Sequence, residues 1–359
     1  MSEQRARNHD RRSDESGSTG SFFKGCFVVI VVLGVLGVLG FIALLGTVIV
    51  AGAFGGTSRP PSPIQLQEVR LSGSPGAPKL VVVPIEGMIY GAPASSGKLT
   101  PLAIASARLE KARKDPNVRG VLLQVDSPGG GITASDILHR EIQQFRSGPD
   151  GKPVVVCMRD IAASGGYYIS VAANRIFAHP TTVTGSIGVM MPLYDATALM
   201  DKIGVENESL TTGPYKDMGS PFVEKTDEQK RKEREVLQGI IDSMYERFLK
   251  VVAEGRDMEM QNVREVADGR IFTSENAKSL GLIDEIGYQS DAVQALQEIT
   301  GARGAQLVKY RRVVSFGEML ATFSQGRQVE VKLPADLDLI NYARPMYMWL
   351  PPRRGNKDE

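Results

Sequence analysis

The chain has 359 residues, of which 42% are hydrophobic and 23% charged, a composition typical of a globular protein with one large or two ordinary domains. Its 42 basic and 41 acidic side chains leave a formal net charge of +1, which gives no electrostatic reason to expect a nucleic-acid partner. The two cysteines, Cys26 and Cys157, are far apart and form no CxxC pattern. Neither a disulfide framework nor a cysteine metal site is therefore predicted.

The N-terminal part divides into a polar tail, an uncharged run and a linker. Residues 1–24 lack apolar periodicity and are predicted to form a disordered cytoplasmic tail. Residues 26–54 are 29 uncharged residues, more than the roughly 20 that cross a bilayer, so residues 25–54 are predicted to form one transmembrane helix. Basic residues are more frequent before this run than after it, which favours a cytoplasmic N-terminus and a remaining chain on the extracytoplasmic side. We expect the membrane to be the plasma (inner) membrane. Residues 55–78, rich in Gly, Pro and Ser, are predicted to be a linker.

From residue 79 onwards, near-continuous apolar strands alternate with helices, which predicts an α/β fold with a parallel sheet. The predicted strands lie within residues 79–91, 118–126, 152–158 and 175–180, and the predicted helices within 99–115, 133–145 and 164–173. A capping box at Thr226 and Gln229 predicts a long amphipathic helix, and residues 273–287 predict a short capped helix followed by a strand.

Two glycine-containing loops each follow a predicted strand and open a predicted helix. They are Ser127-Pro-Gly129-Gly130-Gly131 and Ala163-Ser164-Gly165-Gly166. The carboxyl ends of parallel strands bind ligands, and helix N-termini offer unpaired N–H groups. An oxyanion hole is therefore predicted from Gly165 N–H and a donor in the 129–131 loop. Taken alone, the first loop is more consistent with a simple turn or a phosphate cradle than with an oxyanion hole, and Ser164 is more consistent with an ordinary helix N-cap.

Ser164 needs a general base if it is a nucleophile. His139 is predicted in the middle of a helix and His179 in a strand, so neither is favoured. A lysine can take this part when burial disfavours its charged form. Lys216 lies in a Gly/Pro-bounded loop with apolar neighbours, although spacing alone does not choose it over Lys202.

Five stretches in this order resemble the signal peptide peptidase A family in its short form. They are VDSPGGG, RDIAASGGYYIS, TTVTGSIGVM, GPYKDMGSPF and DGRIFTSENAKSLGLIDEIG. The resemblance implies a ClpP/crotonase-like fold of repeated ββα units, with residues 79–301 as the peptidase domain and 302–359 as a C-terminal extension.

The resemblance also assigns roles residue by residue. Ser164 matches the family nucleophile, Lys216 its general base, and Ser186 a serine that hydrogen-bonds the lysine. Gly129, Gly130, Gly131 and Gly165 match its oxyanion and substrate-binding positions.

The implied function is that of a membrane-anchored serine endopeptidase with a Ser-Lys dyad. It would degrade remnant signal peptides and other unfolded apolar peptides through an acyl-enzyme. The resemblance further implies a homo-oligomeric ring and no metal or other cofactor. Three alternatives remain open from the sequence: a crotonase-like acyl-CoA enzyme, a non-catalytic membrane scaffold, and a related membrane protease with a different substrate.

Overall fold

A computed structural model describes residues 36–37, 40, 64–91, 99–313 and 346–348. The predicted tail at 1–24 and nearly all of the predicted anchor at 25–54 lie outside these ranges. Among the residues described, no helix combines the length and apolar character needed to cross a membrane. The described residues from 64 onwards belong to one compact unit, which contains the candidate site.

In the first half of this unit, strands and helices alternate as predicted. The second half contains more helix than strand. The strands are β1 Leu66–Ser72, β2 Lys79–Glu86, β3 Val118–Ser127, β4 Gly129–Gly131, β5 Val154–Ala163, β6 Arg175–Ala178, β7 Val183–Gly185, β8 Ile271–Thr273, β9 Glu285–Ile286, β10 Gln306–Arg312 and β11 Met346–Met348. The helices are α1 Pro101–Lys114, α2 Ile132–Ser147, α3 Gly165–Ser170, α4 Thr197–Ile203, α5 Asp227–Arg256, α6 Met260–Val266, α7 Ser274–Ser279 and α8 Gln289–Thr300.

Most strands of the described residues belong to one mainly parallel sheet. Its order is β1-β10-β2-β3-β5-β6-β9, with β7 paired to β5 and β8 paired to β7. Only the β1–β10 and β7–β8 pairs are antiparallel within this sheet. The prediction of an α/β fold is confirmed.

The central strands are buried on both faces, which explains why their sequences are apolar without alternation. One face carries Val81, Leu123 and Val156 and packs against the core formed with α1, α2 and α3. The other carries Leu80 and Val155 and packs with residues of α8 such as Leu296. Helices on both faces leave the strand ends as the place where loops can form a site.

Three details differ from the sequence-based expectation. Strand β5 continues to Ala163, beyond the predicted end at 158, because Ile161–Ala163 pair with β7. His179 follows β6 rather than lying within it. Two strands of the sheet, β1 and β10, lie outside residues 79–301 and pair with each other.

Candidate active site

Ser164 and Ser186 follow two paired strands at the same level of the sheet. In the parallel β5–β7 pair, Ala163 lies opposite Gly185, and each serine is the next residue along its strand. Ser164 N–H donates to Gly185 C=O at 2.7 Å, which holds the two strand ends together. The structure therefore places the backbones of Ser164 and Ser186, two of the three predicted catalytic residues, side by side.

The backbone at Ser164 has a conformation that is rare for a residue with a side chain. Its φ of 51° and ψ of −114° lie outside the ordinary helix and strand regions, and Ser186 also has a φ of 51°. Such conformations cost about 1–3 kcal/mol and concentrate at functional sites. Ser164 is 1% exposed, and its Oγ has no hydrogen-bond partner among the described residues. A simple capping role is excluded, since its side chain caps no N–H of α3.

Helix α3 begins directly after Ser164 and requires small residues there. A Cβ on Gly166 would lie 2.6 Å from Ser127 C=O, so the first turn of α3 can approach β3 only without a side chain. Tyr168 N–H donates to Ser164 C=O at 2.8 Å, which starts the helix. The Tyr167 hydroxyl donates to Leu282 C=O at 2.9 Å and fixes the helix from its other side. Burial raises the pKa of Tyr167, so this hydroxyl keeps its proton.

The glycine loop at 129–131 lies beside this turn. Its middle residue, Gly130, differs from its two neighbours in where its backbone N–H and C=O point. Gly129 N–H donates to Ser127 Oγ at 3.1 Å, and Gly131 N–H donates to Ile89 C=O at 2.9 Å. Ile89 N–H donates to Gly129 C=O at 2.8 Å. Because successive strand residues direct their polar groups to opposite edges, Gly130 directs its N–H and C=O away from Ile89. Gly129 and Gly131 therefore have engaged donors, and Gly130 presents its own to the opposite edge of β4.

Within the single chain, Lys216 does not pair with Ser164. It is exposed in the loop between α4 and α5, and Ser164 Oγ has no partner there. Lys202 lies in α4 and is also exposed. The described residues therefore do not pair Ser164 with its predicted general base, and the loop that carries Lys216 is bonded to α5.

A buried ion pair holds this loop to α5. Lys225 Nζ lies 2.6 Å from Glu233 Oε1, and the side chains are only 7% and 10% exposed. Lys225 Nζ also donates to Asp217 C=O at 2.8 Å, and Gly219 N–H donates to Glu233 Oε2 at 3.3 Å. These bonds fix the backbone immediately after Lys216. Sequence reasoning missed this pair because the charge run at the start of α5 resembles a solvated helix face.

His139 is buried behind α3, and neither ring nitrogen has a hydrogen-bond partner among the described residues. Its ring lies edge-on to Tyr168, with centroids 5.2 Å apart. Burial lowers its pKa from 6.5 to about 4. Tyr168 donates to Asp136 at 2.5 Å, and Arg247 donates to the same carboxylate, which ties α2, α3 and α5 together. The helix pattern predicted the position of His139 but could not show that its ring nitrogens lack hydrogen-bond partners among the described residues.

No group of three or more His, Cys, Asp or Glu side chains in the described ranges is arranged to hold a metal ion. Cys157 is buried in β5, and burial raises the pKa of its thiol to about 11. A thiol with this pKa is a poor nucleophile at neutral pH.

Sequence comparison relates this chain to known peptidases. Residues 147–303 match the model of peptidase family S49, and this range contains Ser164, Ser186 and Lys216. The chain is 39% identical over 204 residues to a candidate signal peptide peptidase SppA of Enterococcus faecium, covering 57% of this chain and 58% of that protein. It is 33% identical over 239 residues to Protease 4 of Salmonella typhi, covering 65% of this chain and 38% of that protein.

The chain thus contains a segment, residues 147–303, that matches peptidase family S49, and it is similar to proteins named as signal peptide peptidase SppA and Protease 4. A candidate protease of Methanocaldococcus jannaschii is also similar, with 40% identity over 202 residues that cover 56% of this chain and 63% of that protein. The chain spans about 60% of the length of the archaeal and enterococcal relatives and 38% of the length of the Salmonella protein. The glycine loop at 129–131 precedes the range that matches family S49, whereas both Ser164 and Ser186, which have a positive φ, lie within it.

Proposed function

We propose that this chain is a membrane-anchored serine endopeptidase in which Ser164 is the nucleophile. The observation that carries the proposal is the buried, unpartnered Ser164 Oγ at a strained turn between β5 and α3. The Ser164 hydroxyl forms no hydrogen bond that would stabilise the fold. Strained backbone conformations of this kind are retained mainly at sites where function requires them. The match to family S49 supports the same activity.

The proposed reaction is acyl transfer to Ser164 and then to water. The neutral amine of Lys216 takes the Ser164 hydroxyl proton as Oγ attacks the peptide carbonyl carbon. The negative oxygen that develops is held by backbone N–H groups, for which Gly165 and Gly130 are the best placed of the predicted donors. The C–N bond then breaks, the leaving amine takes the proton from Lys216, and water hydrolyses the ester.

Lys216 has to reach Ser164 for this reaction, and its surroundings suggest how. The segment around it exposes several large apolar side chains, which a monomer in water seldom leaves uncovered together. These are Leu193, Tyr194, Leu199, Ile203, Val205, Leu210, Tyr215 and Phe222. We propose that this segment is buried in a homo-oligomeric ring, where Lys216 is desolvated beside a Ser164 and oriented by a Ser186. Desolvation favours the neutral amine that a general base requires.

The proposed substrates are cleaved signal peptides and other short apolar peptides, as the name of the enterococcal relative suggests. The proposed location is the plasma (inner) membrane, with residues 25–54 as the anchor and the S49 domain on the extracytoplasmic side. The uncharged run and the excess of basic residues before it support this placement. The ClpP/crotonase-like fold of ββα units is proposed on the same family grounds.

Fluorophosphonate labelling of the full chain in detergent, followed by mass spectrometry, tests the proposed function. Ser164 should carry the label, and Ser164→Ala should lose both labelling and cleavage of an apolar fluorogenic peptide. Lys216→Ala should lose both as well, because the hydroxyl is a weak nucleophile without a base. Ser135→Ala is the matched control, since Ser135 Oγ is also buried without a partner but lies in α2. Undiminished peptide cleavage by Ser164→Ala would refute the assignment.

A further inference from the structure

Asp136 of α2 is hydrogen-bonded to two other helices. The Tyr168 hydroxyl of α3 donates to Asp136 Oδ1 at 2.5 Å, and Nη2 of Arg247 in α5 donates to the same oxygen at 3.0 Å. Burial raises the pKa of Asp136, but the hydrogen bonds from Tyr168 and Arg247 outweigh burial and leave this pKa below its usual value. The carboxylate is therefore ionised near neutral pH, and hydrogen bonds to an ionised acceptor are stronger than neutral ones.

The two bonds to Asp136 differ in burial. Tyr168 is fully buried, so its hydroxyl needs an acceptor inside the fold. The side chains of Arg247 and Asp136 are 51% and 39% exposed, and an ion pair with this exposure contributes little to stability. The bond from Tyr168 to Asp136 is therefore the one that fixes α3 against α2.

This bond lies within about one helical turn of both halves of the predicted oxyanion hole. Helix α2 has Gly131 as its N-cap, and Asp136 is its fifth residue. Helix α3 begins at Gly165, and Tyr168 is its fourth residue. Because a single helical turn is stiff, the bond constrains the distance between Gly165 N–H and the 129–131 loop.

Helix α3 depends on tertiary bonds for its position. It has only six residues, and a helix this short is not stable through its own hydrogen bonds. Ser164, directly before it, is strained and caps none of its N–H groups. Without the bond to Asp136 we expect the first turn of α3 to shift, and small displacements of catalytic groups lower reaction rates strongly.

We propose that Asp136 is a positioning residue of the active site, which holds Gly165 N–H at its distance from the 129–131 loop by accepting a hydrogen bond from Tyr168. In this role Asp136 acts through α3 rather than on the substrate. The inference rests on the proposed function, because this distance affects catalysis only if both loops bind one developing oxyanion.

Deletion of the hydroxyl or of the carboxylate tests this role in the full chain in detergent, with an apolar fluorogenic peptide as substrate. Tyr168→Phe and Asp136→Ala should each lower kcat at least about ten-fold and change KM less than about two-fold, because the oxyanion forms only in the transition state. The double variant should be no slower than the slower single variant, since both substitutions remove the same bond. Asp136→Asn should recover most of the kcat lost in Asp136→Ala, because its amide oxygen can still accept from the Tyr168 hydroxyl.

Tyr245→Phe is the matched control. The Tyr245 hydroxyl donates to Ala267 C=O at 2.6 Å, a bond that joins α5 to the end of α6 and involves neither α2 nor α3. Both Phe variants should unfold at lower urea concentration than the unsubstituted chain, whereas only Tyr168→Phe should lose kcat.

Three results would overturn the inference alone, provided that the unsubstituted chain cleaves the peptide. They are unchanged kcat in Tyr168→Phe, an equal loss of kcat in Tyr245→Phe, and additive losses in the double variant. If the unsubstituted chain neither cleaves the peptide nor is labelled by fluorophosphonate at Ser164, the proposed function fails and the positioning role fails with it.

Discussion

Acid should destabilise the packing behind the candidate nucleophile through His139. This side chain is 3% exposed between α2 and α3, and burial lowers its pKa from 6.5 to about 4. Asp136 raises this pKa and Arg247 and Arg146 lower it, but burial has the largest effect. Between pH 6.5 and pH 4, His139 is therefore protonated in the unfolded chain but neutral in the folded chain. The free energy of unfolding consequently decreases as the pH falls from 6.5 to 4.

The size of this loss follows from the difference between the two pKa values. A shift from 6.5 to about 4 corresponds to about 3 kcal/mol at 1.36 kcal/mol per unit. Replacing His139 with Leu removes the titration and also two buried nitrogens without partners. The variant should be at least as stable as the parent at pH 7.5, because a buried polar group without a hydrogen bond is unfavourable.

The assay is urea-induced unfolding followed by circular dichroism at several pH values and one fixed protein concentration. The difference between the free energies of unfolding of His139→Leu and the parent should move by about 3 kcal/mol in favour of the variant between pH 7.5 and pH 4. Other groups titrate in both proteins and cancel in this difference. A difference that stays constant across this range would refute the reasoning.

Two further changes test how the site is positioned. Gly166→Ala should destabilise the fold by about 1–3 kcal/mol and lower the rate of fluorophosphonate labelling, because its Cβ would meet Ser127 C=O at 2.6 Å. Gly239→Ala, in exposed α5 with nothing within 4 Å, is the matched control and should stabilise by up to about 1 kcal/mol. Glu233→Gln should speed amide exchange in residues 213–222 and lower kcat for peptide cleavage, since it removes the carboxylate 2.6 Å from the buried Lys225 ammonium and leaves the Asp217 carboxylate, 3.5 Å away, to pair with it.

For each of these predictions, a specific outcome would contradict the reasoning. Unchanged stability and labelling in Gly166→Ala would mean that α3 does not need its close approach to β3. For Glu233→Gln, unchanged exchange and kcat would show that the ion pair with Lys225 does not position the loop of Lys216. Rescue of exchange and kcat by Glu233→Asp would support a role of the carboxylate in positioning.

The α/β class was predictable, and so were the strand ends that carry the candidate site, because the causes of both are local in the sequence. Unbroken apolar runs such as 152–158 can be buried on both faces only in a covered parallel sheet. Glycine-containing loops after such strands predict a site at the strand ends, and both loops do lie there. The positions of Ser164 and Gly130 at adjoining strand ends follow from this topology. The roles of these residues remain proposals.

Only the tertiary structure decided which groups at that edge are free. Gly129, Gly130 and Gly131 are three consecutive glycines that the sequence cannot tell apart. Ile89, about 40 residues earlier, forms backbone hydrogen bonds with Gly129 and Gly131 but not with Gly130. The neighbouring placement of Ser164 and Ser186 likewise depends on the β5–β7 register. The pairing of β11 with β4 joins residues more than 200 positions apart, and such pairings have no local signal. A sequence determines which segments can form strands, but hydrogen-bond partners are assigned only when distant segments compete for the same edge.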